Sequence, residues 1–277
     1  MSKYERYDET SKNYDKTRSA VGIEIVLGYI LTIQEKLENI KVLDAGCGTG
    51  NYAVPLKKFI PNVISADFSQ GMLAKAKEKY TEKDLKNDDL IRCDISELPF
   101  KENTFDAIMC NQSLHHIDEV DTNFKNHRRF FEYALKALKP NGRLIINTIT
   151  HEQLDDGVWW GELIKPAVDR MKKRFLSDDQ LVEILNTFGY ATPEKIVPTS
   201  TIIQHNGYFD ADSLYKKEFR DGDSHFSLLT PDELNGVLNK LTSLKESGKI
   251  HDYIQSRDKL RQKIGQFCYI IARKPRN

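Results

Sequence analysis

Residues 42–50 read Val-Leu-Asp-Ala-Gly-Cys-Gly-Thr-Gly, an apolar run that ends in an acid and continues into alternate glycines. A buried strand over 42–44 would finish at Asp44, and the glycines would let the backbone turn tightly before a helix that starts near Asn51. Because no side chains stand in the way, the backbone N–H groups of such a turn can approach a ligand closely. The stretch therefore predicts a ligand-binding turn of an α/β fold, placed between a strand and a helix.

Two further short runs also end in acids. Residues 62–66, Asn-Val-Ile-Ser-Ala, precede Asp67, which stands roughly 20 residues beyond the glycines, where a βαβ unit carries the carboxylate that binds a ribose. Hydrogen bonds from ribose hydroxyls to a carboxylate belong to the stronger, charge-assisted class. In the alternative, Asp67 is a surface residue that caps the next helix, and Ser69 also suits that capping role. The third run, residues 90–93, ends at Asp94.

Two more strands are predicted further along the chain. The fourth covers residues 104–110, and the fifth covers 143–147 after a helix around 130–138 and a turn at 139–142. A glycine just past a helix and before an apolar run marks a helix end and a strand start.

These four motifs, between about residues 41 and 148, resemble those of class I S-adenosylmethionine (SAM)-dependent methyltransferases of the small-molecule type. The resemblance implies an α/β fold, a Rossmann-like doubly wound seven-stranded sheet whose last strand is antiparallel, with helical cap insertions. It also implies SAM as cofactor and S-adenosyl-L-homocysteine as product. The glycines fit the dinucleotide fingerprint G-x-G-x-x-G poorly, because Asn51 stands where that fingerprint has Gly or Ala. A NAD-dependent dehydrogenase is therefore the least favoured reading.

The same resemblance implies the cofactor-binding residues. In such enzymes the acid at Asp94 faces the adenine amino group, and the Ile95 backbone N–H meets the ring nitrogen. Phe68 and Met72 would pack on the adenosine, although Met72 suits a core position equally well. The predicted set is Tyr14, Arg18, Asp44, Ala45, Gly46, Gly48, Gly50, Asp67, Phe68, Met72, Asp94, Ile95 and Asn111.

The N-terminal pattern Y-D-…-Y-D-x-x-R resembles the lid of many small-molecule methyltransferases. Tyr7, Tyr14 and Arg18 would fold over cofactor and substrate, with Arg18 on the methionine carboxylate or a partner acid. A solvated terminus is the alternative.

The candidate catalytic residues follow the fourth strand. Methyl transfer from a sulfonium is an in-line displacement, so the protein mainly aligns the reacting atoms and excludes water. Asn111 would lie beside the methionine part of the cofactor. His115 is the best candidate base, because imidazole titrates near neutral pH, and His116 is the second candidate. Structural packing of His115 stays an open alternative.

A cap is predicted between the last two strands, 194–203 and 267–273, because a hairpin needs far fewer than the roughly 60 residues that separate them. The expected domains are a lid and first helix at 1–38, a SAM-binding domain at 39–203, a helical cap at 204–266, and the final strand at 267–277. Tryptophan pairs can enclose an apolar or cationic substrate, or form a hinge between cap and sheet. Arg220 and His225 of the predicted cap would either bind a substrate carboxylate or form ion pairs within their own loop. The candidate substrate residues are Tyr7, Trp159, Trp160, Tyr208, Arg220 and His225.

Composition narrows the function classes. Lysines and arginines number 41, as do aspartates and glutamates, so no surface is reserved for nucleic acid or an anionic membrane. The proline motif [DNS]-P-P-[YFW] of nucleic-acid and protein-amide N-methyltransferases does not follow the fourth strand. We therefore expect a small-molecule acceptor, no nucleic acid, no membrane, and a monomer or homodimer.

The four cysteines have no CxxC spacing, which predicts reduced core residues, no metal site and a cytoplasmic protein. Two alternatives stay open. One is an aminopropyltransferase-like enzyme, for which Asp221 and Asp223 would supply acidic groups. The other is a non-catalytic SAM-binding scaffold or sensor.

Overall fold

A seven-stranded sheet forms the centre of the computed structural model, which describes residues 20–276. The strands are β1 (Lys41–Ala45), β2 (Asn62–Asp67), β3 (Leu90–Arg92), β4 (Phe105–Asn111), β5 (Leu138–Thr148), β6 (Ala191–Ile196) and β7 (Cys268–Arg273). Their order is β3-β2-β1-β4-β5-β7-β6. Strand β7 pairs antiparallel with β5 and β6, and the other pairings are parallel. This order confirms the predicted doubly wound sheet with an antiparallel last strand.

The helices, labelled in chain order over the described residues, cover both faces of the sheet and build the cap. They are α1 (Ile23–Leu31), α2 (Ala53–Leu56), α3 (Gln70–Glu82), α4 (Lys125–Ala137), α5 (His151–Asp156), α6 (Lys165–Lys172), α7 (Asp178–Phe188), α8 (Lys217–Asp221), α9 (Pro231–Glu246) and α10 (Ile250–Ile264). Within residues 20–276, no helix combines the length and the apolar character needed to cross a lipid bilayer.

Successive strand residues point to opposite faces of the sheet and join two separate apolar clusters. Leu43, Ile108 and Leu144 pack with the buried side chains of α4 and α7. Their neighbours in the chain, among them Val42 and Met109, pack on the other face with α1, α2 and α3. Burial on both faces explains why these strands read as continuous apolar runs.

Several element ends differ from the sequence prediction. Helix α1 ends at Leu31, before the predicted boundary of the first helix region at residue 38; the Thr32 hydroxyl donates to the Tyr29 carbonyl at 2.7 Å, a local bond that competes with further helix. Strand β6 covers 191–196 instead of 194–203, and after it the Thr199 N–H donates to the Val197 carbonyl at 3.0 Å in a turn.

Strand β5 begins at Leu138 and includes the predicted turn at 139–142. Asn141 donates its backbone N–H to the Lys274 carbonyl, and Lys274 donates to the Gly142 carbonyl, both at 3.0 Å. Pairing with the far end of the chain thus extends this strand, and no local pattern reveals it.

A third apolar cluster forms the interior of the cap and draws on two segments of the chain. One segment runs from Leu154 to Phe175, between β5 and α7, and the other from Tyr208 to Ile254, between β6 and β7. Helix α5 packs against both α6 and α10. Residues 151–175, which the sequence assigned to the SAM-binding domain, therefore share a core with residues of the predicted cap. We use "cap" below for these two segments together.

Candidate active site

A cavity of about 750 Å³ lies between the carboxyl ends of the central strands and the cap. We call its two parts the sheet half, lined by residues of 44–113, and the cap half, lined mainly by residues of 149–175 and 203–234. In open α/β sheets this edge is the usual place for a ligand. Predicted site residues that line it are Asp44, Gly46, Gly48, Asp67, Phe68, Met72, Asp94, Ile95, Asn111, His115, His116, Arg220 and His225.

The glycine turn after β1 approaches both the protein and the cavity closely. Gly46 has φ +75°, and a Cβ there would lie 2.6 Å from the Ser113 Cβ. The Ser113 hydroxyl donates to the Gly46 carbonyl at 2.7 Å and so ties the loop after β4 to this turn. Gly48 has φ +55° and lines the cavity, and among residues 20–276 no heavy atom lies within 4 Å of its Cβ position. Its missing side chain therefore leaves space for a ligand.

Two predicted cofactor residues of this turn do not line the cavity. Ala45 is fully buried in the sheet core. Gly50 has φ +79°, and its Cβ position lies 3.5 Å from Ala76 and Tyr80 of α3. These residues shape the turn from behind.

Asp67 is held in place by backbone N–H groups. Its Oδ2 accepts from Gly48 and its Oδ1 accepts from Ser69, each at 2.8 Å. Burial raises the pKa of this carboxyl, and the backbone hydrogen bonds oppose the rise. Each oxygen keeps a further lone pair for a ligand hydroxyl. The Ser69 side chain caps α3 by accepting the Met72 N–H at 3.2 Å, so the capping role belongs to Ser69 and Asp67 lines the cavity.

Asp44 and Asn111 carry buried polar atoms that await a partner. They are 1% and 7% exposed, and within residues 20–276 neither side chain has a hydrogen-bond partner for its oxygen or nitrogen atoms. Burial raises the pKa of Asp44 to about 7; the charge of Asp67 adds to the rise and the nearby Asn111 amide opposes it. Since unpaired buried polar groups are costly, the pair points to a ligand with both donors and acceptors.

Other residues of the sheet half form a more apolar part of the cavity wall. Ile95 and Met72 are buried, whereas Phe68 is 40% exposed. The Arg92 guanidinium lies 5.7 Å from the centre of the Phe68 ring. Asp94 accepts the backbone N–H of Ser96 at 2.8 Å, which fixes its carboxylate at the cavity wall.

The two histidines after β4 lie where the halves meet. The His115 ring stacks on Phe175, with centroids 4.3 Å apart and planes at 15°, and its centroid is 3.8 Å from that of His116. Nδ1 of His116 lies 3.3 Å from Nη2 of Arg174. His115 thus lines the cavity and is also part of a packed aromatic wall.

The aromatic residues proposed as a pocket roof lie elsewhere. Trp159, Trp160 and Tyr208 are fully buried in the cap interior and do not line the cavity. The two indole rings meet edge to face at 5.3 Å, and Nε1 of Trp159 donates to the Tyr208 carbonyl at 2.5 Å. The tryptophan pair was predicted as a substrate enclosure or as a hinge between cap and sheet; the structure instead places it inside the cap, where it packs the two cap segments together.

Arg220 and His225 do line the cap half. Among the other residues there, Gln153 and Met171 were not predicted as site residues, and Asp223 was named only as an acidic group of the aminopropyltransferase alternative. Asp223 stands two residues before His225, so the D-x-H spacing was the available signal. Tyr7, Tyr14 and Arg18 lie outside the described residues.

Comparison with known proteins relates this chain to methyltransferases. Residues 43–146 match the model of a methyltransferase domain. The chain is 27% identical over 144 residues to a demethylmenaquinone methyltransferase of Listeria monocytogenes, across 50% of this chain and 58% of that relative. The chain thus carries a methyltransferase domain over 43–146 and is similar to the class I SAM-dependent methyltransferases. It spans a little over half the length of the curated relatives that it matches.

Two solved structures support the fold of this chain. A candidate methyltransferase from an antibiotic biosynthesis pathway of Anabaena variabilis matches with a TM-score of 0.70 and 18% identity, over 92% of this chain and 98% of that one. Phosphoethanolamine N-methyltransferase 2 of Haemonchus contortus, in complex with SAM, matches with a TM-score of 0.59 and 20% identity, over 97% and 57%. At these identities the likeness establishes the fold.

The sheet half fits SAM, the cofactor of this family. The unpaired atoms of Asp44 and Asn111 suit an amino-acid end, which offers ammonium donors and carboxylate acceptors. Asp67 has free lone pairs for ribose hydroxyls, and Phe68, Met72 and Ile95 provide an apolar wall for a base. Gly48 leaves the space between them open.

Proposed function

We propose that this protein transfers a methyl group from SAM to an oxygen, nitrogen or sulfur atom of a small-molecule metabolite. The observation that carries the proposal is the continuity of the cavity: cofactor-type residues at the strand ends and cap residues line one space of about 750 Å³. A cavity of this size suits a small acceptor. Bound SAM supplies an electrophilic methyl group, and the chain aligns the acceptor with it and excludes water.

Small molecules are favoured over macromolecular acceptors for two reasons. The cap covers the reacting end of the site, with residues of 217–227 in its wall. The chain has zero formal net charge, and a neutral surface gives no general attraction for nucleic acid.

The four cysteines of the chain are all free, which supports a reducing location such as the cytoplasm.

The aminopropyltransferase alternative has less support. A polyamine acceptor needs free carboxylates, but Asp221 pairs with Lys217 and Asp223 pairs with His225. A non-catalytic SAM sensor would bind the cofactor without turning it over, so turnover is the test that separates it from an enzyme.

The test is transfer from methyl-labelled SAM to the small-molecule fraction of a cell extract. We expect S-adenosylhomocysteine to form only when this fraction is present, together with a labelled product. SAM binding without turnover on any fraction would contradict the enzyme and favour the sensor.

Asp67→Ala tests the cofactor site in a separate measurement of SAM binding. It should weaken SAM binding by about 1–3 kcal/mol, because ribose hydroxyls would lose a charged partner. The exposed Asp121→Ala is the control. Calorimetry that finds equal SAM affinity in the wild type and Asp67→Ala would remove Asp67 from the cofactor site.

A further inference from the structure

A histidine and an aspartate of the cap form a largely buried pair in the cavity wall. Oδ1 of Asp223 lies 2.6 Å from Nδ1 of His225, and the same oxygen accepts the His225 backbone N–H at 3.0 Å. The two side chains are 8% and 12% exposed, and both residues line the cap half. Two contacts to one carboxylate oxygen fix the imidazole ring relative to its own backbone.

This contact determines which ring nitrogen is basic. An ionised carboxylate only accepts hydrogen bonds, so the ring proton sits on Nδ1 and the lone pair on Nε2. Nε2 of His225 is buried and has no hydrogen-bond partner in the part of the chain that the structure describes. A carboxylate at Nδ1 also stabilises the imidazolium that forms once Nε2 takes a proton. The pair thus has the geometry of a general base and its positioning residue.

The histidines after β4 are placed differently. A guanidinium only donates, so the Arg174 contact makes Nδ1 of His116 an acceptor, and the neutral ring then carries its proton on Nε2. His115 is stacked on Phe175 and packed beside His116. The described neighbours of His225 fix a basic Nε2, whereas the contact of His116 with Arg174 places the proton on its Nε2.

The cap half presents both apolar and polar side chains. Its apolar side chains include Leu154, Val158, Met171, Phe175, Phe226 and Leu234. Among its charged residues, Lys217 pairs with Asp221 at 2.5 Å, Nη1 of Arg220 donates to the Leu214 carbonyl at 2.7 Å, and Glu218 also lines the wall. An acceptor with an apolar frame fits against the first set and presents one acidic hydrogen to His225.

A base helps some acceptor atoms more than others. A thiol, with an ordinary pKa of about 8.5, ionises close to neutral pH unaided, whereas a phenolic hydroxyl ionises at about 10. An uncharged amine attacks through its lone pair before it loses a proton. We infer that His225 is the general base of an O-methylation, positioned by Asp223, and that the acceptor is a phenolic or enolic hydroxyl on a largely apolar molecule. The inference rests on the proposed function.

The step balances as follows. The acceptor oxygen forms a bond to the methyl carbon while the carbon–sulfur bond breaks and its electron pair stays with sulfur. The hydroxyl proton passes to Nε2 of His225. The products are a methyl ether, a neutral thioether and an imidazolium beside Asp223, which gives its proton to solvent.

The first test is independent of turnover. In ¹⁵N-histidine-labelled protein at neutral pH, the His225 signals, assigned by their loss in His225→Gln, should report a protonated Nδ1 and an unprotonated Nε2. Asp223→Asn should change this tautomer balance, because its amide can donate to Nδ1. A wild-type ring with its proton on Nε2 would overturn the inference.

The second test uses matched probe acceptors: 2-naphthol, 2-naphthylamine and naphthalene-2-thiol, each with labelled SAM. We expect methylation of 2-naphthol, and a loss of kcat of about 10²–10⁴-fold in His225→Gln, the range for general-base catalysis. The SAM dissociation constant should not change in this variant, which also checks that it folds. The exposed His251→Gln is the control, and His115→Ala should lower kcat by less than His225→Gln.

Each other outcome is informative. Equal kcat in the wild type and His225→Gln would overturn the role of His225. Absence of transfer to 2-naphthol in the wild type would overturn the acceptor assignment; transfer to the amine, the thiol or an extract fraction would then leave the proposed function standing. Absence of SAM binding would instead refute the proposed function itself.

Discussion

At the scale of single residues, glycines with the same backbone conformation serve different purposes. Gly48 and Gly189 both have positive φ, at +55° and +83°, and neither has a heavy atom of the described part of the chain within 4 Å of its Cβ position. Gly48 lines the cavity, whereas Gly189 ends α7. The two positions therefore separate backbone strain from loss of ligand space.

We expect Gly48→Ala and Gly189→Ala to lower the free energy of unfolding by similar amounts, about 1 kcal/mol, since both place a Cβ on left-handed backbone. Only Gly48→Ala should also weaken SAM binding, because its methyl group enters the ligand space. Denaturant unfolding and SAM titration of both variants check this. Equal SAM affinity in the two variants would show that Gly48 does not face the cofactor.

Asp44 links the site to the pH dependence of stability. Its pKa is raised from 3.8 to about 7 in the folded protein, so between these values the folded state holds a proton that the unfolded chain has lost. The free energy of unfolding of the ligand-free protein therefore falls as pH rises through this window. Above pH 7 the folded protein carries the buried charge at full cost.

Asp44→Asn should remove this dependence. At pH 8 it should raise the free energy of unfolding of the ligand-free protein by an amount on the order of a few kcal/mol, and the melting temperature with it. At pH 5 the gain should be smaller. The same variant should bind SAM less tightly at pH 8. Thermal unfolding at both pH values, with Asp121→Asn as the surface control, is the measurement; a gain that is equal at pH 5 and pH 8 would contradict the raised pKa.

At the scale of elements, helix starts were predictable because their signals are local. The Ser177 and Thr230 hydroxyls each accept the backbone N–H of the residue three positions on. The side chains of those residues, Gln180 and Glu233, accept the backbone N–H of Ser177 and Thr230 in turn, which completes two capping boxes. Both starts are recognisable from a few consecutive residues. Helix α10, Ile250–Ile264, lies within the predicted helical cap.

The cap interior depends on contacts between segments, and Trp159 tests it. Trp159→Ala should cost about 3–5 kcal/mol of unfolding free energy, the range for removal of a large buried aromatic side chain. Val182→Ala, on the exposed face of α7, should change stability by less than about 0.5 kcal/mol. Denaturant unfolding followed by far-ultraviolet circular dichroism measures both. A loss below about 1 kcal/mol in Trp159→Ala would indicate that Trp159 is not part of a packed core.

At the scale of the whole molecule, the sequence predicted most of the sheet half of the cavity but only Arg220 and His225 in its cap half. Asp44, Asp67 and Asp94 each end or directly follow a predicted strand, and parallel topology brings such ends together at one edge. The cap half depends on which distant segments pack together. Trp159 donates to the Tyr208 carbonyl across 49 positions of the chain, and no repeating hydrophobic pattern in the sequence predicts such a contact.

The same reason explains the pair at Asp223 and His225. Both stand in one short run of sequence, but the burial of the pair, and of Nε2 of His225, follows from the packing of the cap around them. Sequence alone left this run open between a substrate-binding role and a salt-bridged loop.

Calorimetric titration of the purified protein with SAM, S-adenosylhomocysteine and NAD tests the central claim most directly. If the strand-end acids and the glycine turn form a SAM site, SAM and S-adenosylhomocysteine bind with one site per chain and NAD does not bind. Absence of SAM binding, or binding of NAD with equal affinity, would contradict the account.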